Sequence, residues 1–467
     1  MKKILSAAIV ILVTLFTIAY FALADIGYQG SAYAAKNLCS GVFVSQLPAD
    51  TVLQQAIIPA SPPLALASYS IDRQNKLVKA SLLGLYPRRA QFRSGLGCTL
   101  IPRDVGLLPP VALPSIANSV SNADVAVATR DDTASNTKLQ GYDQQALSAA
   151  INFAFAENDE RGHKNTKAVV IMYQGELIAE RYADNVTAGT PLTGWSMTKS
   201  VVSLLCGIMV REGKLHLDAA VPVSEWQGDD RRLITLDQLL HMSSGLEFNE
   251  TYGIATDVTQ MLTAENDTGA FAAGKPLVYA PGTFWAYSSG TTNIISRMIQ
   301  QQLGGSLEDL WAFTQEELFQ PLGVTSAYFE PDPSGVFVGS SFLYMSARDW
   351  AKLGQLLLNK GHWLGREIVS ADWVDYSITP APANDNNDYG AHIWLNRDPD
   401  NDNRTRTWPD VPTSAFSMNG YQGQYVAVVP THNLVVVRLG FTPLPARAGM
   451  NEFLQQVIAA LPATIRR

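Results

Sequence analysis

Residues Gly194–Val210 read GWSMTKSVVSLLCGIMV, and the reading of Ser196 within this stretch decides the fold. A serine just ahead of an apolar helix is ordinarily a cap. Here Val201, Val202, Leu205, Ile208 and Met209 mark a buried helix from Ser196 to about Glu212, stopped by Gly213. Lys199 follows Ser196 by three residues, so both side chains project from one helical face. A helix N-terminus also offers backbone N–H groups and positive potential to a developing oxyanion. An unaided serine hydroxyl is a poor nucleophile near neutral pH. A lysine serves as its base when burial or a nearby cation depresses the lysine pKa.

S-x-x-K by itself is a weak signal. Ser135-Asn136-Thr137-Lys138 repeats it inside a polar stretch with no apolar helix behind it. Two further segments give Ser196 its weight. PGTFWAYSSGTTNIISRMIQ places Tyr287 in a turn ahead of a helix carrying Ile294, Ile295, Met298 and Ile299. A phenol there would relay protons, or else anchor the turn as a core aromatic. FSMNGYQGQYVAVVP sets Gly420 and Gly423 beside a strand, where glycine permits close backbone approach to a ligand or simply makes a tight turn.

Together SMTK, YSS about 90 residues later and the Gly-rich strand resemble the serine β-lactamase and penicillin-binding-protein family. The likeness is to its class C-like branch, with esterases, D-amino-acid peptidases and 6-aminohexanoate-dimer hydrolases. It covers about residues 140 to 460 and extends to ITLDQLLHMSSGL and PGTFWAYSSG. The resemblance implies an α+β fold: an antiparallel sheet flanked by helices, with a mostly helical lobe. It also implies an acyl-enzyme on Ser196, with Lys199 and Tyr287 as base and proton relay and the order of the first proton transfer open. No cofactor is implied.

The chain departs from the family pattern at two elements. Tyr-x-Asn is Tyr287-Ser288-Ser289, a hydroxyl in place of an amide. Lys-Thr-Gly falls on Met418-Asn419-Gly420, with its register open by a residue or two. By resemblance, Ser289, Asn419, Gly420 and Tyr421 form the substrate and oxyanion strand side of the site. A missing lysine there argues against efficient β-lactamase or carboxypeptidase activity, since such a lysine helps hold a substrate carboxylate; an arginine such as Arg438 would substitute if the fold brought it into the cleft. The Gly420-to-Gln424 ending resembles that of 6-aminohexanoate-dimer hydrolases and favours small esters or linear amides.

Other classes fit less well. An α/β-hydrolase requires G-x-S-x-G, and Gly194-Trp195-Ser196-Met197-Thr198 ends in threonine. A β-lactamase, a D-Ala-D-Ala carboxypeptidase and a non-turnover penicillin-binding sensor share the expected fold and stand as alternatives. Net charge is −8 and no basic block stands out, which argues against nucleic acid as a partner. His and Cys do not cluster at metal-ligand spacing, so a zinc hydrolase is not expected.

The N-terminus places Lys2 and Lys3 before an uncharged, largely apolar run from Ile4 to Ala24, long enough to span a bilayer. The lysines favour a cytoplasmic N-terminus, with the rest of the chain in the periplasm and anchored in the inner membrane. Ala22-Leu23-Ala24 also resembles a signal cleavage site, but signal apolar regions are shorter, about 7–15 residues. Cys39 and Cys98 suit an oxidising compartment and are expected to be joined in a disulfide that closes a long loop, two buried thiols being the alternative. Cys206 reads as a small core residue.

The expected organisation is an anchor or signal at 1–24, a small β-rich extension at 25–116, a polar linker at 117–140 and a hydrolase domain at 141–467. A helical pattern opens the domain, with Ala146, Leu147, Ala150, Ile151 and Ala154 on one face. A hairpin follows around Gln174-Gly175, and a second turns at Pro430–Asn433. Pairing these early and late strands in one sheet, with a closing helix carrying Phe453, Leu454, Val457, Ile458 and Leu461 on one face, leaves a cleft against the helical lobe. Sequence does not place the loops around Trp285 and Tyr389–His392, which are candidates to line that cleft.

Overall fold

The computed structural model describes residues 24–114, 141–157, 163–253, 255–400, 405–444 and 448–462. The apolar run at 4–23, the segment 115–140 and the second S-x-x-K lie outside the described residues. Among the described residues no helix is long and apolar enough to cross a membrane.

The N-terminal part is half helical rather than uniformly β-rich. Residues 24–39 are helical, and short helical turns cover 49–60. This first helix buries Ser31, Ala32, Ala34, Ala35, Lys36, Leu38 and Cys39. A helix enclosed on most sides carries no clean amphipathic period, so its sequence reads as broken apolar runs. An antiparallel meander follows: β1 (Ala67–Asp72), β2 (Leu77–Leu82), β3 (Leu85–Arg93) and β4 (Gly97–Ile101).

Cys39 and Cys98 form a disulfide that ties helix to meander. The same point is fastened to the rest of the protein through Glu330. Its buried carboxylate pairs with Lys36 and accepts from Ser40 Oγ (2.8 Å) and Cys98 N–H (2.6 Å). Burial pushes the Glu330 carboxyl up, opposed by the charge of Lys36. Removing one member of such a pair would leave a bare buried charge, so neither partner is replaceable alone.

The main domain opens with α1 (Gln144–Phe155), whose Gln145 and Ala146 N–H groups donate to the Asp143 side chain. Strands β5 (Thr166–Tyr173) and β6 (Glu176–Tyr182) are joined at Gln174 and Gly175, both at positive φ (53° and 81°). Two positive φ values give the hairpin turn whose twist matches its strands. Short strands β7 (Leu192–Thr193), β8 (Tyr328–Phe329) and β9 (Leu343–Met345) make a small sheet, and β10 (His362–Trp363) pairs with β11 (Arg366–Glu367). Near the C-terminus lie β12 (Trp394–Leu395), β13 (Phe416–Gly420), β14 (Gln424–Val429) and β15 (Leu434–Gly440).

The central sheet runs β12-β13-β14-β15-β5-β6, antiparallel throughout. The late hairpin therefore joins the early one, as the strand pattern indicates. Alternation splits the sheet into two faces. Leu434, Val436, Val169 and Ile171 pack with Leu147 and Ala150 of α1 and with Phe453, Leu454 and Val457 of the closing helix Met450–Ala459. Val435, Val437, Val426 and Val428 face the larger core on the other side. There the helix Ala347–Leu358 comes so close that a Cβ on Gly354 would lie 2.6 Å from Val435 Cγ1. The helical lobe contributes α2 (Thr198–Arg211), buried along its length from Thr198 to Met209, and α3 (Ser289–Gln302). Cys206 sits inside α2 as a free, buried thiol.

Candidate active site

Strand β7 ends at Thr193, and a Cβ on the next residue, Gly194, would lie 2.2 Å from the Trp350 ring, so only glycine fits. Trp195 then takes φ 47°, uncommon for a bulky residue. Such a conformation costs about 1–3 kcal/mol and persists where neighbours over-determine it. The Trp195 ring is held by Tyr33 of the N-terminal helix (centroids 6.5 Å), by the edge of Tyr421 (5.6 Å) and by its Nε1–H donating to Gln422 Oε1 (3.3 Å). Gln422 in turn donates to the Ala56 carbonyl (2.7 Å), so the N-terminal part buttresses this turn. Ser196 lies in the 3₁₀ turn Trp195–Met197 that leads into α2, and no side chain caps either element. Its hydroxyl is therefore not spent as a cap.

Instead Ser196 Oγ accepts from Lys199 Nζ at 3.0 Å. Lys199 is 1% exposed and donates also to Ser289 Oγ and to the Ser340 carbonyl, both at 3.0 Å. Three acceptors thus match the three N–H bonds of an ammonium. Burial lowers the Lys199 pKa to about 8, against the opposing charge of Glu250. Tyr287 places its ring 4.8 Å from Lys199 Nζ. Burial, then the charge of Glu250, push the Tyr287 phenol far up, partly offset by the neighbouring Ser196 hydroxyl. Near neutral pH the phenol therefore holds its proton, and Lys199 is the nearer of the two to losing one.

The YSS segment divides its serines by role. Ser288 caps α3, accepting from Thr291 N–H at 3.2 Å, and Ser289 is the one that meets Lys199. Ser289 also leads to a residue that the sequence did not single out. Its N–H and Oγ donate to Glu250 Oε2 (2.7 Å) and Oε1 (2.6 Å). Glu250 comes from the loop after MSSGL, where LEFNETY holds two carboxylates, Glu247 and Glu250, and nothing in the sequence separates them. Trp285, Tyr287 and Tyr389 gather edge to face with centroids 5.6–5.7 Å apart. His392 is buried, with Nδ1 3.0 Å from the Lys199 carbonyl, and burial lowers its pKa to about 3. A neutral imidazole there anchors the first turn of α2.

On the far side, β12 pairs only with Phe416 and Ser417, so β13 continues past it with a free edge beside the nucleophile turn. Contact is close: a Cβ on Gly420 would lie 2.1 Å from the Gly194 carbonyl oxygen. Met418 does not stand in the cleft; it is buried in the core with Val426 and Val428. Asn419 pairs with Tyr425 and so leaves the opposite face of the strand, with its amide oxygen buried and without a hydrogen-bond partner. Its side chain is therefore not directed with Gly420 toward Ser196. Tyr421 packs on Trp195 and stacks on Tyr252 (5.0 Å, 3° between planes).

Arg438 stays out of the cleft as well. It is buried behind the β13–β14 turn and donates to the carbonyls of Gly423 (2.7 Å) and Lys164 (2.6 Å) and to Thr166 Oγ1 (2.9 Å). Among the described residues no group of three or more His, Cys, Asp or Glu side chains is placed to hold a metal ion.

The family model described as Beta-lactamase matches residues 152–457. The chain is 21% identical over 315 residues to a 6-aminohexanoate-dimer hydrolase of Paenarthrobacter ureafaciens, covering 60% of this chain and 74% of that protein. It is 34% identical over 158 residues to a lovastatin esterase of Penicillium rubens, covering 29% of this chain and 39% of that one. Among solved structures, a putative 6-aminohexanoate-dimer hydrolase from Bacillus anthracis has TM-score 0.53 at 22% identity, covering 63% of this chain and 79% of that one. EstCE1, a hydrolase with promiscuous acyltransferase activity, has TM-score 0.54 at 17% identity, covering 68% of this chain and 99% of that one. At these identities the solved structures speak to the fold.

Proposed function

Because the chain belongs to the Beta-lactamase family, we propose that it is a serine hydrolase cleaving small esters or linear amides through an acyl-enzyme on Ser196. The observation that carries this reading is the buried Lys199 Nζ at 3.0 Å from Ser196 Oγ. Neutral Lys199 takes the Ser196 proton as Oγ bonds to the substrate carbonyl carbon. The proton reaches the leaving group through Tyr287 as the scissile bond breaks. Water then attacks the acyl-enzyme by the reverse relay and releases the acid. The oxyanion is favoured by the positive end of α2 and by the free edge of β13. The named relatives, a 6-aminohexanoate-dimer hydrolase and an esterase, support the substrate class.

Preference for esters and linear amides over β-lactams follows from the missing cation. Met418 is a thioether in the core and Arg438 is committed to backbone carbonyls, so neither meets a substrate carboxylate. A hydrogen bond to a charged group is worth roughly 1.5–3 kcal/mol, or about 10- to 150-fold in rate. A short-chain nitrophenyl ester should therefore exceed a chromogenic cephalosporin in kcat/KM on one preparation. A better cephalosporin would reverse the assignment toward β-lactamase, and a labelling burst without turnover would point to a sensor.

We further infer that the domain works in the periplasm, held at the inner membrane by residues 1–24 or released there by cleavage. Lys2, Lys3 and the apolar run after them support this, as does the disulfide, which suits an oxidising compartment. Protease added to intact spheroplasts should digest the domain. Protection until the cells are lysed would place it in the cytoplasm.

A further inference from the structure

We propose that Glu250 is a positioning residue for the catalytic group: acting through Ser289, its carboxylate orients Lys199 and stabilises the ammonium that forms when Lys199 takes the proton of Ser196. The inference rests on the serine-hydrolase reading and deepens it. Four atoms stand in line, Ser196 Oγ, Lys199 Nζ, Ser289 Oγ and Glu250 Oε1, joined at 3.0, 3.0 and 2.6 Å. The second oxygen, Oε2, accepts Ser289 N–H at 2.7 Å, so both carboxylate oxygens are fixed on one residue at the start of α3. With Glu250 in place, the Ser289 hydroxyl donates to the carboxylate and leaves its lone pairs for Lys199. The hydroxyl is thereby held as an acceptor aimed at the lysine.

The chemical need for this arrangement is plain. When Ser196 attacks, its O–H bond breaks, an N–H bond forms on Lys199, and a positive charge appears in a site 1% exposed to water. Unsolvated, that charge would raise the barrier. A fixed carboxylate one residue away supplies the counter-charge without reorganisation, as a buried aspartate does for a catalytic imidazolium. Glu250 also fits the substitution that brought Ser289 here: the hydroxyl is shorter than the family's amide, and a carboxylate from another loop occupies its outer side.

The surrounding titratable groups do not blur the effect. Burial keeps the phenols of Tyr252, Tyr287 and Tyr389 protonated and the imidazole of His392 neutral. Lys199 is the charged group whose field opposes the burial of Glu250, and Glu250 is the charged group that holds Lys199 up.

The test is the pH profile of kcat/KM for a nitrophenyl ester on the full-length protein, in wild type, Glu250→Gln and Glu250→Asp. Lys199 acts as base when neutral, so the wild-type rate should rise through about pH 8. Glu250→Gln removes the anion, and the limb should move down by about one pH unit or more, the effect of an opposite charge at this range. The high-pH plateau should fall by about tenfold or more, the same interaction read as a rate. Glu250→Asp keeps the charge and should keep a limb near the wild-type position. A Glu250→Gln protein with the wild-type limb and only a uniformly lower rate would overturn the proposal, as would equal displacement in both variants. Failure of the underlying reading would look different: wild-type protein that a fluorophosphonate does not label.

Discussion

Replacing Ser196 with alanine should abolish both ester hydrolysis and fluorophosphonate labelling, with a loss of about 10,000-fold or more in kcat, the scale for removal of an acyl-transfer nucleophile. The expectation comes from geometry rather than from the motif. Ser196 Oγ accepts from Lys199 Nζ and caps no helix, and the turn that carries it is braced by Trp350 behind Gly194 and by Tyr33 and Tyr421 around Trp195. Ser135→Ala provides the internal control, because Ser135-Asn136-Thr137-Lys138 has the same spacing within a polar stretch of sequence. That variant should match wild type in rate and labelling. Full labelling of the Ser196→Ala protein would move the nucleophile elsewhere.

Lys199→Ala should lower kcat/KM by about 100- to 10,000-fold, the contribution of a positioned general base, and should erase the rising limb near pH 8. The sign follows from the titration: below about 8 the amine is protonated and has no lone pair for the Ser196 proton, and above it the base is free. The variant also leaves Glu250 without its counter-charge, so a thermal melt should accompany the kinetics. Loss of activity with the limb intact would assign the first proton transfer to another group. Tyr287 is the least suited to that role, since burial holds its phenol protonated well beyond this range.

Much of the molecule is legible in one dimension because its determinants are local. The hairpins at Gln174-Gly175 and Pro430–Asn433 announce themselves by turn residues between β-rich runs, and their union in one sheet follows from few ways of pairing them. Helix α2 is legible from its apolar run, and Ser196 and Lys199 sit at a spacing that any helix converts into contact. Within the extension at 25–116 the strands at 67–101 are legible, whereas the helical stretch before them is not, for an equally local reason. A helix such as 24–39, enclosed on most of its sides, loses the polar stripe that sequence reading relies on.

The amino-acid sequence by itself marked Ser196 as the candidate nucleophile, Lys199 as its neighbour and the phenol of Tyr287 before α3, and it indicated the strands of the sheet. Each of these signals is carried by residues within a turn or two of one another. Only the tertiary structure decided what surrounds them. Glu250 is 39 residues from Ser289, the Ser340 carbonyl is 141 from Lys199, and Tyr33 reaches Trp195 from the N-terminal helix. Met418 and Arg438 make the same point in reverse. Both occur where a substrate-binding cation was sought, yet one is buried in the core and the other braces a turn from behind. Alternation along a strand is written in the sequence. Which face or edge meets the nucleophile is set by how sheet and helical lobe dock, and that docking is fixed by the summed packing of many distant side chains.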